Sequence, residues 1–365
     1  MGTIKQNRAN NILTSGKLDA TDGLNNDIPA SNIANASFSN VTAYPPSAGA
    51  AVTKVASDPP SPSDGQVWFN TTSNVLKQYA FSASWATGGN MNSGRYLLAA
   101  GGTSTATLAA GGTTSAPAGP GQTGVTEEYN GSTWANNPTG LNTTRYGVGG
   151  AGTQTAGLAF GGTTPITGAT EEYDGSTWTN SNSLNTARIY ATGIGTQTAG
   201  LAFGGATPAV TGATEEYDGT SWVTSPGSLN TAKAYVGGAG IQTAGLAIGG
   251  ESSTAIISET EEYDGTSWTT SPGSLNTARR GLAGAGIQTA ALAFGGQDPS
   301  YTEITATEEY DGATWTTVNS LAAARTFLGG AGTTSSALAF GGAYPVSAAT
   351  EEWTVGLGIQ TITVS

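Results

Sequence analysis

The chain has no cysteine and no histidine. Disulfides, thiol nucleophiles, histidine bases and the zinc sites built on those ligands are excluded with them. Charge is scarce: Asp, Glu, Lys and Arg make up 10% of 365 residues. The 12 basic residues against 25 acidic ones leave a net charge of -13. That balance opposes a groove that tracks a nucleic-acid backbone and supplies no polybasic patch for anionic lipid. No apolar run reaches the ~18 residues that a spanning helix needs, so neither nucleic-acid binding nor membrane insertion is expected. The residues Met1 to Arg8 carry charge without an apolar stretch behind them, unlike a secretory signal. Gly2-Thr3-Ile4-Lys5-Gln6 lacks the Ser or Thr of a myristoylation site.

Glycine is abundant, at 55 residues. It disfavours helix interiors, so an all-β chain is expected. Six Glu-Glu pairs recur, beginning at Glu127, Glu171, Glu215, Glu261, Glu308 and Glu351, at intervals of 44, 44, 46, 47 and 43 residues. Each follows a Thr and precedes an aromatic, as in Thr170-Glu171-Glu172-Tyr173-Asp174-Gly175-Ser176-Thr177-Trp178. A second phrase ends in Gly-Gly at Gly112, Gly162, Gly205, Gly250, Gly296 and Gly342, and a third carries a basic residue at Arg95, Arg145, Arg188, Lys233, Arg279 and Arg325.

A period in the mid-forties with glycine and aromatic marks predicts the blades of a β-propeller. In the third copy the strands are expected at 188–195, 198–205, 213–218 and 221–224, with Asp-Gly as a tight primed turn between the last two. The first two strands hold mainly Gly, Ala and Thr, which suits a crowded axis. Tyr and Trp on the outer strands fill the wider gaps between blades.

The pattern resembles the kelch repeat. The likeness rests on the Gly-Gly doublet, the Glu-x-Tyr-Asp-like third strand, the Trp of the fourth and the leading Arg, over about residues 93–354. It implies a six-bladed kelch-like propeller over 86–356. Lys233 in place of Arg and Trp353 in place of Tyr depart from it. Five copies have their own fourth-strand Trp, at Trp134, Trp178, Trp222, Trp268 and Trp315, and the sixth does not. Tyr79 to Trp85 reads as the missing outer strand, so Tyr79, Trp85 and Trp353 are expected where the ring closes. The alternating C-terminal strand at 357–365 is the rival for that edge.

Residues 1–60 form an Asn-, Ala- and Ser-rich leader, expected to be extended. Up to residue 92 the chain holds five acidic and five basic residues, and from 93 onward twenty and seven, so the ring holds all of the excess charge. The segment Pro62-Ser63-Asp64-Gly65-Gln66-Val67-Trp68-Phe69-Asn70-Thr71-Thr72-Ser73-Asn74-Val75-Leu76 predicts a hairpin within a unit at 61–85. It resembles a segment of tailed-phage fibre and appendage proteins. The leader, with Ala30-Ser31-Asn32-Ile33, is similar to virion-attachment ends of marine and cyanobacterial phages. The resemblance implies a virion protein made in the host cytoplasm, attached to other virion proteins through residues 1–60 and assembled as a homo-oligomer, a trimer by analogy with fibres.

Adjacent residues of a strand point to opposite faces, so a Glu pair cannot converge on one proton or ion. One member is expected to pair with its blade's basic residue and the other to be solvated. A calcium site of carboxylates and loop carbonyls, or an anion held by the basic residues around the axis, stays open as an alternative. No metal, cofactor or catalytic set is assigned. The Asp-Gly-Ser-Thr-Trp phrase differs from the sialidase Asp box, which has a residue between Asp and Gly.

The links between second and third strands vary most between copies, and Glu251, Asp298, Tyr301, Glu303 and Tyr344 are their distinctive polar and aromatic members. They form a candidate surface for a host glycan or protein. The expected function is a non-enzymatic virion appendage or tail fibre used in host attachment. A structural collar, knob or head-decoration protein and a carbohydrate-processing propeller enzyme are the alternatives.

Overall fold

The computed structural model describes residues 52–362 apart from 64, 65, 119 and 164; the expected leader therefore lies mainly outside the described residues, as do Asp64 and Gly65 of the hairpin motif. Among the described residues there are strands and turns and no helix. The chain divides into a unit of residues 84–354 and a second unit of 1–83 with 355–365.

The larger unit is a β-propeller. Its first sheet is built from consecutive strands Ala99–Thr103, Ala106–Ala110, Thr126–Tyr129 and Trp134–Asn136, all antiparallel. Four further sheets of the same kind follow within 149–181, 192–224, 237–270 and 283–318. Three more strands, Gly329–Gly332, Ser336–Phe340 and Thr350–Thr361, make a further sheet. Its outer neighbour is the strand Val75–Thr87, whose residues Ser84–Thr87 belong to this unit. Gly88 N–H, just past that strand, donates to Thr350 O at 2.9 Å. The innermost strands touch in a closed circuit, Ala99–Thr103 lying beside both Gly149–Thr153 and Gly329–Gly332.

Small residues permit that circuit. A Cβ on Gly193 would meet Gly150 O at 2.3 Å, and one on Gly284 would meet Gly238 O at 2.4 Å. Outward from the axis, neighbouring sheets bury large side chains between them: Leu158 and Phe160 of the second pack with Tyr217 and Trp222 of the third. Burying each such side chain contributes about 1.5–3 kcal/mol.

Each outer Trp also crosses to the preceding sheet. The indole N–H of Trp178, Trp222, Trp268, Trp315 and Trp134 donates to Thr126, Thr170, Thr214, Thr260 and Thr350 Oγ1 at 2.8–3.0 Å. Trp85 makes the same bond to Thr307 at 3.0 Å, lies edge-on to Phe294 at 4.9 Å and sits 5.4 Å from Trp353. A side chain from early in the sequence thus holds the position of a fourth-strand Trp.

Three expectations need correcting. The first strand of the third sheet is Thr192–Thr196 rather than 188–195, because Tyr190 takes a positive φ of 61° and Ile189 forms only an isolated bridge to Ala206. The Asp-Gly link is a four-residue loop: Tyr173 faces Trp178 in register, and Asp174 Oδ1 accepts the N–H groups of Ser176 and Thr177. There the Asx cap sets the loop, and Gly175 takes a positive φ of 92°. Finally, 357–365 is no separate strand, since Thr350–Thr361 runs unbroken; residues 363–365 lie outside the described residues.

In the smaller unit Thr53–Val55 runs parallel to Val67–Asn70, which forms a hairpin with the start of Val75–Thr87. Its turn is Thr71 to Asn74, and Asn70 Oδ1 accepts Thr72 and Ser73 N–H. Trp68 Nε1, Asn70 Nδ2 and Lys77 Nζ all donate to Asp58, at 3.0, 2.7 and 2.6 Å. Those bonds hold the Asp58 carboxyl at about 2, below its usual range. Trp and Asn of the motif thereby clip the preceding segment to the hairpin. Tyr79 lies in this unit, where its N–H donates to Gln66 O at 2.8 Å.

Candidate binding face at the axial mouth

The repeated charges are buried in the walls of the ring. Arg95 pairs with Glu127, Arg145 with Glu171 at 3.0 Å, Arg188 with Glu215 at 3.2 Å, Lys233 with Glu261 at 2.8 Å, Arg279 with Glu308 at 3.0 Å and Arg325 with Glu351 at 2.7 Å. None of these side chains is more than 5% exposed. The second carboxylate oxygen of each Glu accepts a backbone N–H from the segment entering the same sheet, as Glu215 Oε2 does from Asn185 at 2.6 Å. Arg188 Nη1 and Nη2 donate to the carbonyls of Ala213 and Ala202. Burial lowers the pKa of the five arginines, and the facing glutamate opposes the shift. Lys233 reaches a second carboxylate, Glu259, at 3.5 Å. Each pair closes the loop that leads into its sheet, so the basic residues do not form an anion-binding ring on the axis. No group of three or more acidic side chains among the described residues could hold a metal ion.

In five of the six pairs the other glutamate is not solvated as expected. Glu128, Glu172, Glu216 and Glu262 accept the hydroxyls of Tyr173, Tyr217, Tyr263 and Tyr310 on the following sheet. Glu352 accepts that of Tyr129, which joins the last sheet to the first. The hydroxyl is missing at Trp353, whose indole N–H donates to Thr334 O at 2.9 Å.

Antiparallel four-stranded sheets place their second-to-third links and their entry segments at one end. Isolated bridges join the two around the ring, among them Tyr96 to Thr113, Arg280 to Gln297 and Thr326 to Ala343. Two residues past each buried basic residue the backbone turns left-handed, at Leu97, Gly147, Tyr190, Tyr235, Gly281 and Phe327, with φ between 55° and 67°. Residues other than glycine adopt this at a cost of about 1–3 kcal/mol. Here a circular chain of hydrogen bonds between sheets holds them: Gly147 N–H to Leu97 O, Tyr190 to Gly147, Gly281 to Tyr235, Phe327 to Gly281 and Leu97 to Phe327. Between Tyr190 and Tyr235 the rings pack against each other instead, tilted by 32° with centroids 4.2 Å apart.

Glycine is required at Gly281, where a Cβ would meet Phe327 Cδ1 at 2.6 Å. The Phe327 ring lies there, 5.2 Å from that of Tyr235. Tyr190, Tyr235, Phe327 and Leu97 line the floor of a shallow cavity of about 100 Å³. Burial raises the pKa of Tyr190 and Tyr235, so both are neutral phenols at ordinary pH.

Three of the sequence candidates meet at one edge of this floor. Arg280 pairs with Glu251, and its Nε and Nη2 donate to Gln297 Oε1 at 3.2 and 3.1 Å. Gln297 Nε2 donates to Glu303 Oε1 at 2.8 Å, and Tyr301 OH donates to Glu251 Oε1 at 3.0 Å. The guanidinium lies 4.6 Å from the Tyr301 ring centre, 5.2 Å from that of Tyr235 and 5.6 Å from that of Phe327. Asp298 stands outside the cluster and caps the loop, accepting Ser300 and Thr302 N–H at 2.8 and 3.0 Å. Tyr344 is 42% exposed, and its ring lies 6.2 Å from that of Tyr96, which enters another sheet. Sequence reasoning missed Arg280 and Gln297. The signal was present, because Arg279-Arg280 is the one place where the repeated basic residue is doubled.

No family model and no curated protein matches this chain.

Proposed function

We propose that this protein is a non-enzymatic virion appendage whose six-bladed, kelch-like propeller serves as a binding module. The sheet completed by Ser84–Thr87 is the sixth blade, because Trp85 reproduces the Trp-to-Thr bond of the other five. The observation that carries the binding reading is the axial mouth: the variable links gather Glu251, Tyr301 and Glu303 beside an aromatic floor. The paired glutamates are committed to holding sheets together, which leaves them no catalytic part. The virion assignment rests on the hairpin motif and on the leader, through which the protein would attach to other virion proteins. Many copies on one particle would raise the effective affinity of a weak site.

Antibodies against the propeller are expected to label purified particles in electron microscopy and to block adsorption to host cells. Particles that carry no label would remove the virion reading. Labelled particles whose adsorption is unaffected would leave the structural collar or knob. One observation favours that second reading: Ile241 and Ile287, at the inner hairpin tips of neighbouring sheets on the opposite face, are 53% and 55% exposed.

A further inference from the structure

We infer that the mouth of the propeller holds one asymmetric saccharide site, centred on Tyr301 and specific for an uncharged sugar. This deepens the binding reading above and rests on it. A ring of equivalent sheets gives equivalent surfaces, and the Arg280 cluster breaks the equivalence at one edge. Four features there suit a pyranose.

Tyr301 is a ring with one side backed and the other open. It is 54% exposed, yet the Arg280 guanidinium lies against it at 4.6 Å and its hydroxyl is bonded to Glu251. Its backbone is left-handed at φ 59°, a costly conformation for an aromatic. The loop enforces it, since Tyr301 N–H donates to Asp298 O at 2.9 Å and Asp298 N–H donates to Thr302 O at 3.0 Å. An aromatic fixed this way loses little conformational entropy when the apolar C–H face of a sugar stacks on it.

Polar groups stand beside the ring, since Gln297 lies within 3.5 Å of the Tyr301 carbonyl oxygen and bonds to Glu303. Gln297 is 5% exposed, with its amide locked between Arg280 and Glu303. Glu303 Oε1 accepts from Gln297, and no bond to Oε2 is present among the described residues. A carboxylate so placed accepts from hydroxyl groups, and charge-assisted bonds are about twice as strong as neutral ones.

Charge selects the uncharged sugar. Arg280 is neutralised by Glu251, and Glu303 leaves the cluster net negative, in a chain that carries -13 overall. A sialylated, sulfated or phosphorylated glycan would meet like charge. The floor excludes a deep ligand, because Tyr190, Tyr235 and Phe327 converge over the axis and leave only about 100 Å³. The site is therefore shallow and admits a terminal or side-branch sugar rather than a threaded chain.

The test uses the full chain, multimerised by an antibody to a tag, on an array of neutral oligosaccharides and their sialylated and sulfated counterparts. Saturation-transfer NMR with methyl hexopyranosides and methyl N-acetylhexosaminides then reads the single site. Neutral glycans are expected to bind. Tyr301→Asn, which tolerates the left-handed backbone, is expected to lower affinity at least tenfold with the melting temperature retained. Glu303→Gln keeps the bond from Gln297 and is expected to weaken binding several-fold. Ile287→Thr on the opposite face, matching the Thr at 103, 153, 196 and 333, is expected to bind as the parent does. Binding confined to anionic glycans, binding unchanged by Tyr301→Asn, or no binding to any saccharide would each overturn the inference. Particle labelling is read separately, so labelled particles without sugar binding remove this site alone, and sugar binding without labelled particles removes the virion reading alone.

Discussion

The Trp85 indole N–H donates to Thr307 Oγ1 at 3.0 Å across 222 positions of sequence. The bond occupies the place that Trp222 and Thr170 occupy within the repeat. It follows that residues 84–87 complete the ring, and that removing them leaves the last sheet one strand short. Trp85→Ala is expected to cost about 2 kcal/mol, less than the ~3–5 kcal/mol of a fully buried Trp, because Trp85 is half-buried. Trp178→Ala, with Trp178 6% exposed, provides the larger value. Urea unfolding of the two variants compares them, and equal midpoints for Trp85→Ala and the parent would refute the closure.

The Arg188–Glu215 pair is 0% and 1% exposed. Removing one partner leaves a buried charge alone, so Arg188→Met is expected to cost about 3–5 kcal/mol. Glu215→Gln retains the acceptor for Asn185 N–H and is expected to cost less than Glu215→Ala. Chemical denaturation of the three variants gives the order, and a silent Arg188→Met would contradict the structural role.

The inter-sheet tyrosines predict an alkaline limit. Burial, then hydrogen bonding to the facing glutamate, pushes Tyr129, Tyr217, Tyr263 and Tyr310 up to about 12 from 10.0. A phenol whose pKa is raised by folding contributes stability that is complete below pH 10 and disappears as pH rises through about 12. The buried arginines, whose pKa burial lowers, act in the opposite sense. Four phenols share this window, so absorbance at ~295 nm is expected to rise together with loss of β-sheet ellipticity between pH 10 and 12. Ionisation of all thirteen tyrosines near pH 10 with the fold intact would contradict this.

The Asx loops set an acid limit. Bonds from Thr177 and Ser176 hold Asp174 at about 2, and Asp218, Asp264 and Asp311 are lowered by equivalent bonds. Their contribution is present above the ordinary aspartate value and disappears as pH falls through about 2. Asn130 makes the same loop in the first sheet without a charge. Asp174→Asn is therefore expected to leave the fold unchanged at neutral pH and to flatten part of the acid transition followed by circular dichroism.

Gly281→Ala is expected to destabilise by about 1–3 kcal/mol, because φ is +61° and the added Cβ would meet Thr326 Oγ1 at 2.4 Å. Thermal unfolding reads it, and Gly356→Ala, with nothing within 4 Å, is the comparison.

Much of this architecture was legible because every copy needs the same parts. A repeated Arg or Glu marks what each sheet uses to close its loop, and Trp85 was recognisable because a fourth-strand Trp was missing after Trp353. The fate of Glu128 and its counterparts was not legible, since their partners are tyrosines on the following sheet, in the next repeat. The same holds for Arg280, whose importance depends on Glu251 from one link and Gln297 from the next. The left-handed turn at Tyr190 was hidden as well, because only a hydrogen bond to Gly147 of another sheet makes it tolerable.

A ring that borrows its last strand from the beginning of the chain imposes an order on biogenesis. Residues 84–87 leave the ribosome long before Thr350–Thr354 exist to receive them, a wait of roughly 13–53 s at ~5–20 residues per second. Throughout that interval the nascent ribbon is an unmated edge, open to a neighbouring polypeptide, and docking on Thr307 and Trp353 is the event that ends the exposure.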